Sequence, residues 1–477
     1  MVDHATYDSL VTFEGQDLRD PKPSLAVRWA ISSNGKTYTF ALRPDAKFAS
    51  GNPVTSHDVK WSLDRVSRLK GSPAFFLDGV EEVEASSPYT VVIRLAEPKP
   101  GLVHILSSPS LGILDRAVVV EHGGNADLDA ANKDGAEAYL NTHSAGSGAF
   151  VLAGYVPNQE VVLVKNPNHW RGAPPLDRVV IRNIPEAATH PLLLERGDID
   201  ITTGILQDQV QALRQITGVV VKSSQVALTF YITMNQQPDV GGPLSNPKVQ
   251  QAVRYALDYD GIMKIAGAGA VRLAGVVPPN FPEALDSREA PKTDHAKAQA
   301  LLREVAAGEI RGRFVYASDR VVGGVQIGIL AQKVQSDLAG VGIMLEMNGL
   351  PASVAIPQIN GGRSPIAVSP WRADYPDASD FLPPYLPGGA VANAAGWSGD
   401  TSPAARALAE MGRRAASEVD PRKRVALYRE TQRQLADIGP YVPLFAPAFP
   451  YAYRSTIRGA TFNSVWALDF FTIHNGG

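Results

Sequence analysis

This sequence predicts a mixed α/β protein of two or three domains, and three observations carry the prediction. The chain has 477 residues, 44% of them hydrophobic and 19% charged, which supplies a sizeable core and argues against disorder. At roughly 100–200 residues per domain, that length implies two or three domains. Strand-like alternation marks the N-terminal part, and amphipathic helices mark the remainder. Its 42 glycines and 36 prolines imply many turns, not a long bundle or coiled coil.

Taken in order, Tyr38, Phe40 and Leu42 point one way in Lys36–Arg43, as do Tyr89, Val91, Ile93 and Leu95 in Tyr89–Leu95, so both read as half-buried strands. Between them Thr55-x-x-Asp58 has the form of a capping box. Val59, Leu63 and Val66 follow at helical spacing, predicting a helix over 56–69. A strand pair is expected at Glu160–Lys165 and Arg178–Ile184, separated by the turn-rich Asn166-Pro167-Asn168 and Gly172-Ala173-Pro174-Pro175. Asn246-Pro247 reads as N-cap and first helical residue ahead of Val249, Ala252, Val253, Ala256 and Leu257. Apolar stripes recur at Ala298, Leu301, Leu302, Val305 and at Ile327, Leu330, Ala331, Val334, Leu338. The second of these runs through Gly340 and Gly342 into a strand at Ile343–Met347, an α-then-β unit. Beyond a Pro/Gly-dense stretch at 376–399, Asp420-Pro421 starts a helix that ends near Gly439-Pro440.

Composition and motifs exclude several classes. With 45 basic and 48 acidic residues the net charge is −3, so no single-sign field nominates nucleic acid or an anionic membrane. Without cysteine there is no disulfide, thiolate metal site or cysteine nucleophile. No apolar run is long enough to span a bilayer, and Met1-Val2-Asp3-His4-Ala5 shows neither the basic nor the apolar region of a secretory signal. The nine histidines form no zinc motif. Asn125-x-Asp127-x-Asp129 has Ala130 and Ala136 where a calcium loop needs Gly and Glu. No Gly-x-Ser-x-Gly elbow, P-loop or complete dinucleotide fingerprint is present. No catalytic residue, metal or cofactor is therefore nominated.

Four ordered groups of segments nevertheless form a pattern. The first is Pro23-Ser24-Leu25-Ala26-Val27-Arg28-Trp29, Gly35–Arg43, Lys47-Phe48-Ala49-Ser50-Gly51-Asn52-Pro53-Val54-Thr55 and Asp58-Val59. Next come Gly146-Ser147-Gly148-Ala149-Phe150, Asn166-Pro167-Asn168-His169-Trp170 and Leu194–Asp200. The third is Asn235 with Pro247–Asp258. Last are Trp371-Arg372-Ala373-Asp374-Tyr375-Pro376-Asp377 and Tyr441-Val442-Pro443-Leu444-Phe445. In order and spacing the set resembles the extracellular solute-binding proteins of the oligopeptide/dipeptide/nickel group, family 5, that serve ABC importers, over nearly the whole chain. Most of these residues, including Gly51, Gly148, Asn166, Trp170 and Asp200, also have a purely architectural reading.

The resemblance implies a bilobal, class II periplasmic-binding-protein-like α/β fold with an inserted strand-rich subdomain, closing on a solute held between its lobes. The expected limits are 1–10, 146–226 and 450–477 for lobe I, 11–145 for the insert, and 227–449 for lobe II, with a hinge near 227–233 and 444–450. Relatives begin with a signal peptide and an extended strand ahead of the segment matched by His4–Val11, so both are expected upstream of Met1. The implied role is that of the solute-binding component of an importer. It would be a periplasmic monomer that captures a peptide or other small amine-bearing compound and reaches the membrane only through permease subunits, without nucleic acid.

In peptide-binding relatives the acidic residue of a Trp-x-Ala-Asp motif meets the ligand's α-amino group, a position held here by Asp374. Trp371, Arg372 and Tyr375 beside it and Trp397 in Asn393–Trp397 are the other expected ligand-binding residues. Dipeptide-binding relatives also carry an arginine for the ligand's carboxylate. The helix matched by 325–339 has none, the nearest being Arg320. The alternative on the same scaffold is a sugar, opine or metal-chelate binder. A cytoplasmic ligand sensor and a hydrolase are the readings from other classes.

Overall fold

The Asp58 carboxylate reaches back to Thr55, accepting its backbone N–H at 2.9 Å and its hydroxyl at 2.6 Å, and so opens α1 (Ser56–Leu69) where the sequence predicts. The computed structural model describes residues 1–305, 309–399 and 402–476. It divides into two units: Met1–Glu186 with Asp374–Asp377 and Ser455–Gly477, and Ala187–Ala373 with Ala378–Arg454.

In the first unit β1 (Ala26–Ile31), β2 (Thr37–Leu42), β3 (Val80–Ser87) and β4 (Thr90–Leu95) form an antiparallel sheet in the order β1-β2-β4-β3. The period-2 pattern places Tyr38, Phe40 and Leu42 of β2 and Val91, Ile93 and Leu95 of β4 in one core, which Val59 and Leu63 of α1 cover. Each such side chain contributes about 1.5–3 kcal/mol by leaving water. A second sheet is the meander β5 (Phe150–Val156), β6 (Glu160–Lys165) and β7 (Arg178–Arg182), bulged between Leu152 and Gly154.

The segments with an architectural reading behave accordingly. Gly51 turns at φ 94°, a conformation that favours glycine. Gly148 donates to Thr6 O at 3.1 Å, so close to the helix Val2–Thr6 that an added Cβ would lie 2.4 Å from the Thr6 carbonyl carbon. Asn166 is fully buried and donates to Gly148 O at 2.8 Å. Trp170 donates to Asp8, and Arg43 lies over its ring at 3.4 Å from the centroid.

The second unit is built on a six-stranded mixed sheet. Its strands are β8 (Leu228–Met234), β9 (Val271–Arg272), β10 (Ile310–Ala317), β11 (Ile343–Leu350), β12 (Ile366–Arg372) and β13 (Tyr441–Ala446), in the order β9-β13-β8-β12-β10-β11. Only the β10 pairings, with β11 and β12, are parallel. Every residue of β8 is buried, so this strand is covered on both faces. Asn246 caps α2 (Pro247–Ala256), and α3 (His295–Val305) packs beside it. In α4 (Ile327–Ala339) the stripe Ile327, Leu330, Ala331, Val334 and Leu338 is buried, and the chain turns through Gly342 at φ 95° into β11. Two helices close the order: α5 (Pro403–Ser417), capped by Ser402, and α6 (Pro421–Ile438), capped by Asp420. The sequence reading did not anticipate α5, although Ser402-Pro403 is the same cap signal as Asp420-Pro421. A three-stranded sheet of Ile201–Thr202, Ala448–Arg454 and Val219–Gln225 completes this unit, and in it Asp200 pairs with Arg454 at 3.6 Å.

Candidate functional site

The Trp371–Asp377 segment is placed residue by residue by the end of one strand. Trp371 and Arg372 are the last two residues of β12, in register with Thr229 and Leu228 of β8, and Ala373 still donates to Ala227 O at 2.8 Å. The chain then enters the four-residue stretch that belongs to the first unit. There Asp374 is exposed and Arg372 is exposed, whereas Ala373 and Tyr375 are 4% and 5% accessible. The Tyr375 ring is part of the first unit's core, edge-on to Phe76 at 5.5 Å. The motif thus presents a carboxylate from backbone anchored on either side.

Trp371 and Trp397 are brought to one aromatic group inside the second unit. Tyr385 lies 6.4 Å from Trp371, 4.9 Å from Tyr231 and 5.1 Å from Tyr441, and Trp397 lies 6.1 Å from Tyr441. Trp397 is 3% accessible and is tied locally, its backbone N–H donating to Ala392 O at 2.8 Å. Burial pushes the Tyr231 hydroxyl pKa up to about 12 and those of Tyr385 and Tyr441 well above the usual phenol value, so all three hydroxyls stay protonated.

Arg320 follows β10 and is half-buried. Desolvation lowers its pKa, and the neighbouring Tyr231 works against that. It is thus a positive charge beside the aromatic group, on the approach to α4 and not on the helix. Thr229, Tyr231, Tyr385 and Tyr441 were not among the expected site residues. The signal for two of them was present as the alternation Thr229, Tyr231, Thr233 in a strand whose intervening residues are Phe230 and Ile232. Among the described residues no group of three His, Asp or Glu side chains is placed to hold a metal ion.

Comparison with known proteins agrees with this architecture. Residues 20–393 match the family described as bacterial extracellular solute-binding proteins, family 5. The chain is 27% identical over 467 residues to the probable D,D-dipeptide-binding periplasmic protein DdpA of Escherichia coli, covering 97% of this chain and 87% of that one. It is also 27% identical over 490 residues to di/tripeptide-binding protein 2 of Pseudomonas aeruginosa, covering 98% and 88%. In fold it is similar to the periplasmic binding protein DppA of Helicobacter pylori solved with the peptide STSA, with a TM-score of 0.82 at 24% identity over 99% of this chain and 93% of that one. The family match across most of the chain leads to one assignment: the protein belongs to family 5 of the bacterial extracellular solute-binding proteins, the solute-binding components of ABC importers.

Proposed function

We propose that this chain captures a peptide or other small amine-bearing solute, with Asp374 receiving the ammonium group and Trp371, Arg372, Tyr375 and Trp397 contributing to the site. The observation that carries the reading is the exposed Asp374 carboxylate between buried Ala373 and Tyr375. An exposed carboxylate accepts charge-assisted hydrogen bonds from an ammonium group. The charge-assisted bond then strengthens as water is excluded. Arg320, half-buried beside Tyr231, supports a solute that also carries an anionic end. The relatives' names as peptide-binding periplasmic proteins support the same solute class and a periplasmic location.

The proposal includes the lobe limits 1–10, 146–226 and 450–477, with the insert 11–145 and lobe II 227–449, and a hinge near 227–233 and 444–450. It also includes action as a monomer that delivers its solute to permease subunits and turns nothing over. Native mass spectrometry with release of co-purified small molecules identifies the solute class. Calorimetric titration with Ala-Ala and N-acetyl-Ala-Ala then tests the contact. Removing one partner of a desolvated charge pair costs about 2–5 kcal/mol, so both Asp374→Ala and N-acetylation are expected to weaken binding by well over tenfold. Equal affinity of wild type and Asp374→Ala for Ala-Ala removes Asp374 from the site.

A further inference from the structure

The two faces of β8 differ in chemistry. Phe230, Ile232 and Met234 occupy one, with Phe230 stacked on Phe445 at 4.6 Å, while Thr229, Tyr231 and Thr233 occupy the other. Trp371 stands opposite Thr229 on β12 and Tyr441 opposite Thr233 on β13, so the sheet gathers these side chains on the second face. Tyr385, on the single turn Pro383–Tyr385, lies over them.

Four polar atoms of this group are buried without a well-formed hydrogen bond: Thr229 Oγ1, Trp371 Nε1, Tyr385 Oη and Tyr441 Oη, the Tyr385 hydroxyl having the hydroxyls of Thr229 and Tyr231 near it. Thr229, Tyr385 and Tyr441 are themselves at most 2% accessible. A buried polar atom left unpaired costs free energy, and valine or phenylalanine would fill the same space without that cost. Four such atoms on one face therefore mark stability given up for some other purpose, as happens where a protein binds a ligand. Their chemistry says what that ligand group is. The indole N–H can only donate, and each hydroxyl carries one proton to donate, so four donors share the face. An anionic end of the solute has its charge partner in Arg320 beside Tyr231, and the uncharged donors of this face suit a neutral oxygen.

We propose that Thr229, Trp371, Tyr385 and Tyr441 form a polar pocket in the second unit that takes a neutral oxygen acceptor of the solute, an amide or peptide carbonyl, in preference to an aliphatic group of the same shape. The proposal rests on the solute-binding reading above and adds to it a specificity that Asp374 does not provide.

Asparagine and leucine side chains have nearly the same shape and differ in the acceptor. Ala-Asn, Asn-Ala, Ala-Leu and Leu-Ala are therefore titrated into wild type and into Tyr385→Phe, Tyr441→Phe and Thr229→Val, and the melting temperature of each protein is recorded without peptide. A site built to bond a polar group rejects the analogue lacking it. Wild type is expected to prefer one asparagine peptide over its leucine counterpart by about tenfold or more. The three variants are expected to lose most of that preference while melting no lower than wild type without peptide. A preference retained in the variants overturns the pocket, as does a wild type that binds these peptides without one. Lower melting of all three variants without peptide also overturns it, because the hydroxyls would then serve the fold. Failure of wild type to bind any of the four is a different result: it overturns the peptide reading itself, and the pocket with it.

Discussion

Trp170 donates its indole N–H to the buried carboxylate of Asp8 at 3.1 Å, joining residues 162 positions apart. The Ser147 hydroxyl donates to the same oxygen at 2.9 Å, and His169 lies 3.7 Å from it. One carboxylate therefore ties the N-terminal segment, the Gly146–Gly148 re-entry and the Asn166–Trp170 turn into a single knot within the first unit.

That knot makes stability depend on acid. Burial works to raise the Asp8 pKa, but His169, the Ser147 hydroxyl and the charge of Arg171 outweigh it, and the carboxyl is held below its ordinary value. A depressed folded pKa contributes stability that is present above the unfolded value, near 3.9, and is lost as pH falls through the folded one. Urea unfolding followed from pH 7 down to about pH 3 is expected to show that loss in wild type. Asp8→Asn should start about 1–3 kcal/mol lower at pH 7 and depend less on pH.

Arg65 and Asp134 form a two-pronged pair, both N–O distances 2.7 Å, with side chains 10% and 4% accessible. Arg65→Ala leaves the Asp134 carboxylate buried without its counter-charge, and such breaks cost about 3–5 kcal/mol. Denaturant midpoints of wild type and Arg65→Ala check this. A loss under 1 kcal/mol would mean that the pair is hydrated in solution.

Gly148→Ala forces a methyl to within 2.5 Å of the backbone of Ala5 and Thr6, atoms that cannot swing away. Overpacking of this kind costs about 1–3 kcal/mol or more, and a clear fall in melting temperature is expected. Gly399→Ala is the control, since nothing lies within 4 Å of its added Cβ. It should melt as wild type does.

Asp420 accepts from the N–H groups of Arg422 and Lys423 at 2.9 and 3.1 Å, satisfying two donors at the start of α6. Asp420→Ala is expected to cost about 1 kcal/mol, and Asp420→Ser or Asp420→Asn to restore most of it. Thermal unfolding of the three variants is the measurement.

The start of α1, α2 and α6 could be read directly because a cap is a local device: Asp58 bonds Thr55, and Asn246 and Asp420 bond N–H groups two or three residues on. The same holds for β2 and β4, where alternation of apolar residues is itself the condition for burying one face. The ordered motif segments likewise pointed to the family, because turn glycines and Asn-Pro pairs record backbone geometry. What no local pattern contains is which residues meet across the fold. Asp374 and Tyr375 are neighbours in sequence, yet one is exposed and the other packs on Phe76. Thr229 reads as an ordinary strand residue until register sets it against Trp371. Composition, caps and periodicity thus decided class and element limits, since each acts over a few residues, and the ordered segments pointed to the family by resemblance. Strand pairing decided where Thr229, Trp371, Tyr385 and Tyr441 gather, because that depends on contacts between distant segments, which periodicity does not encode.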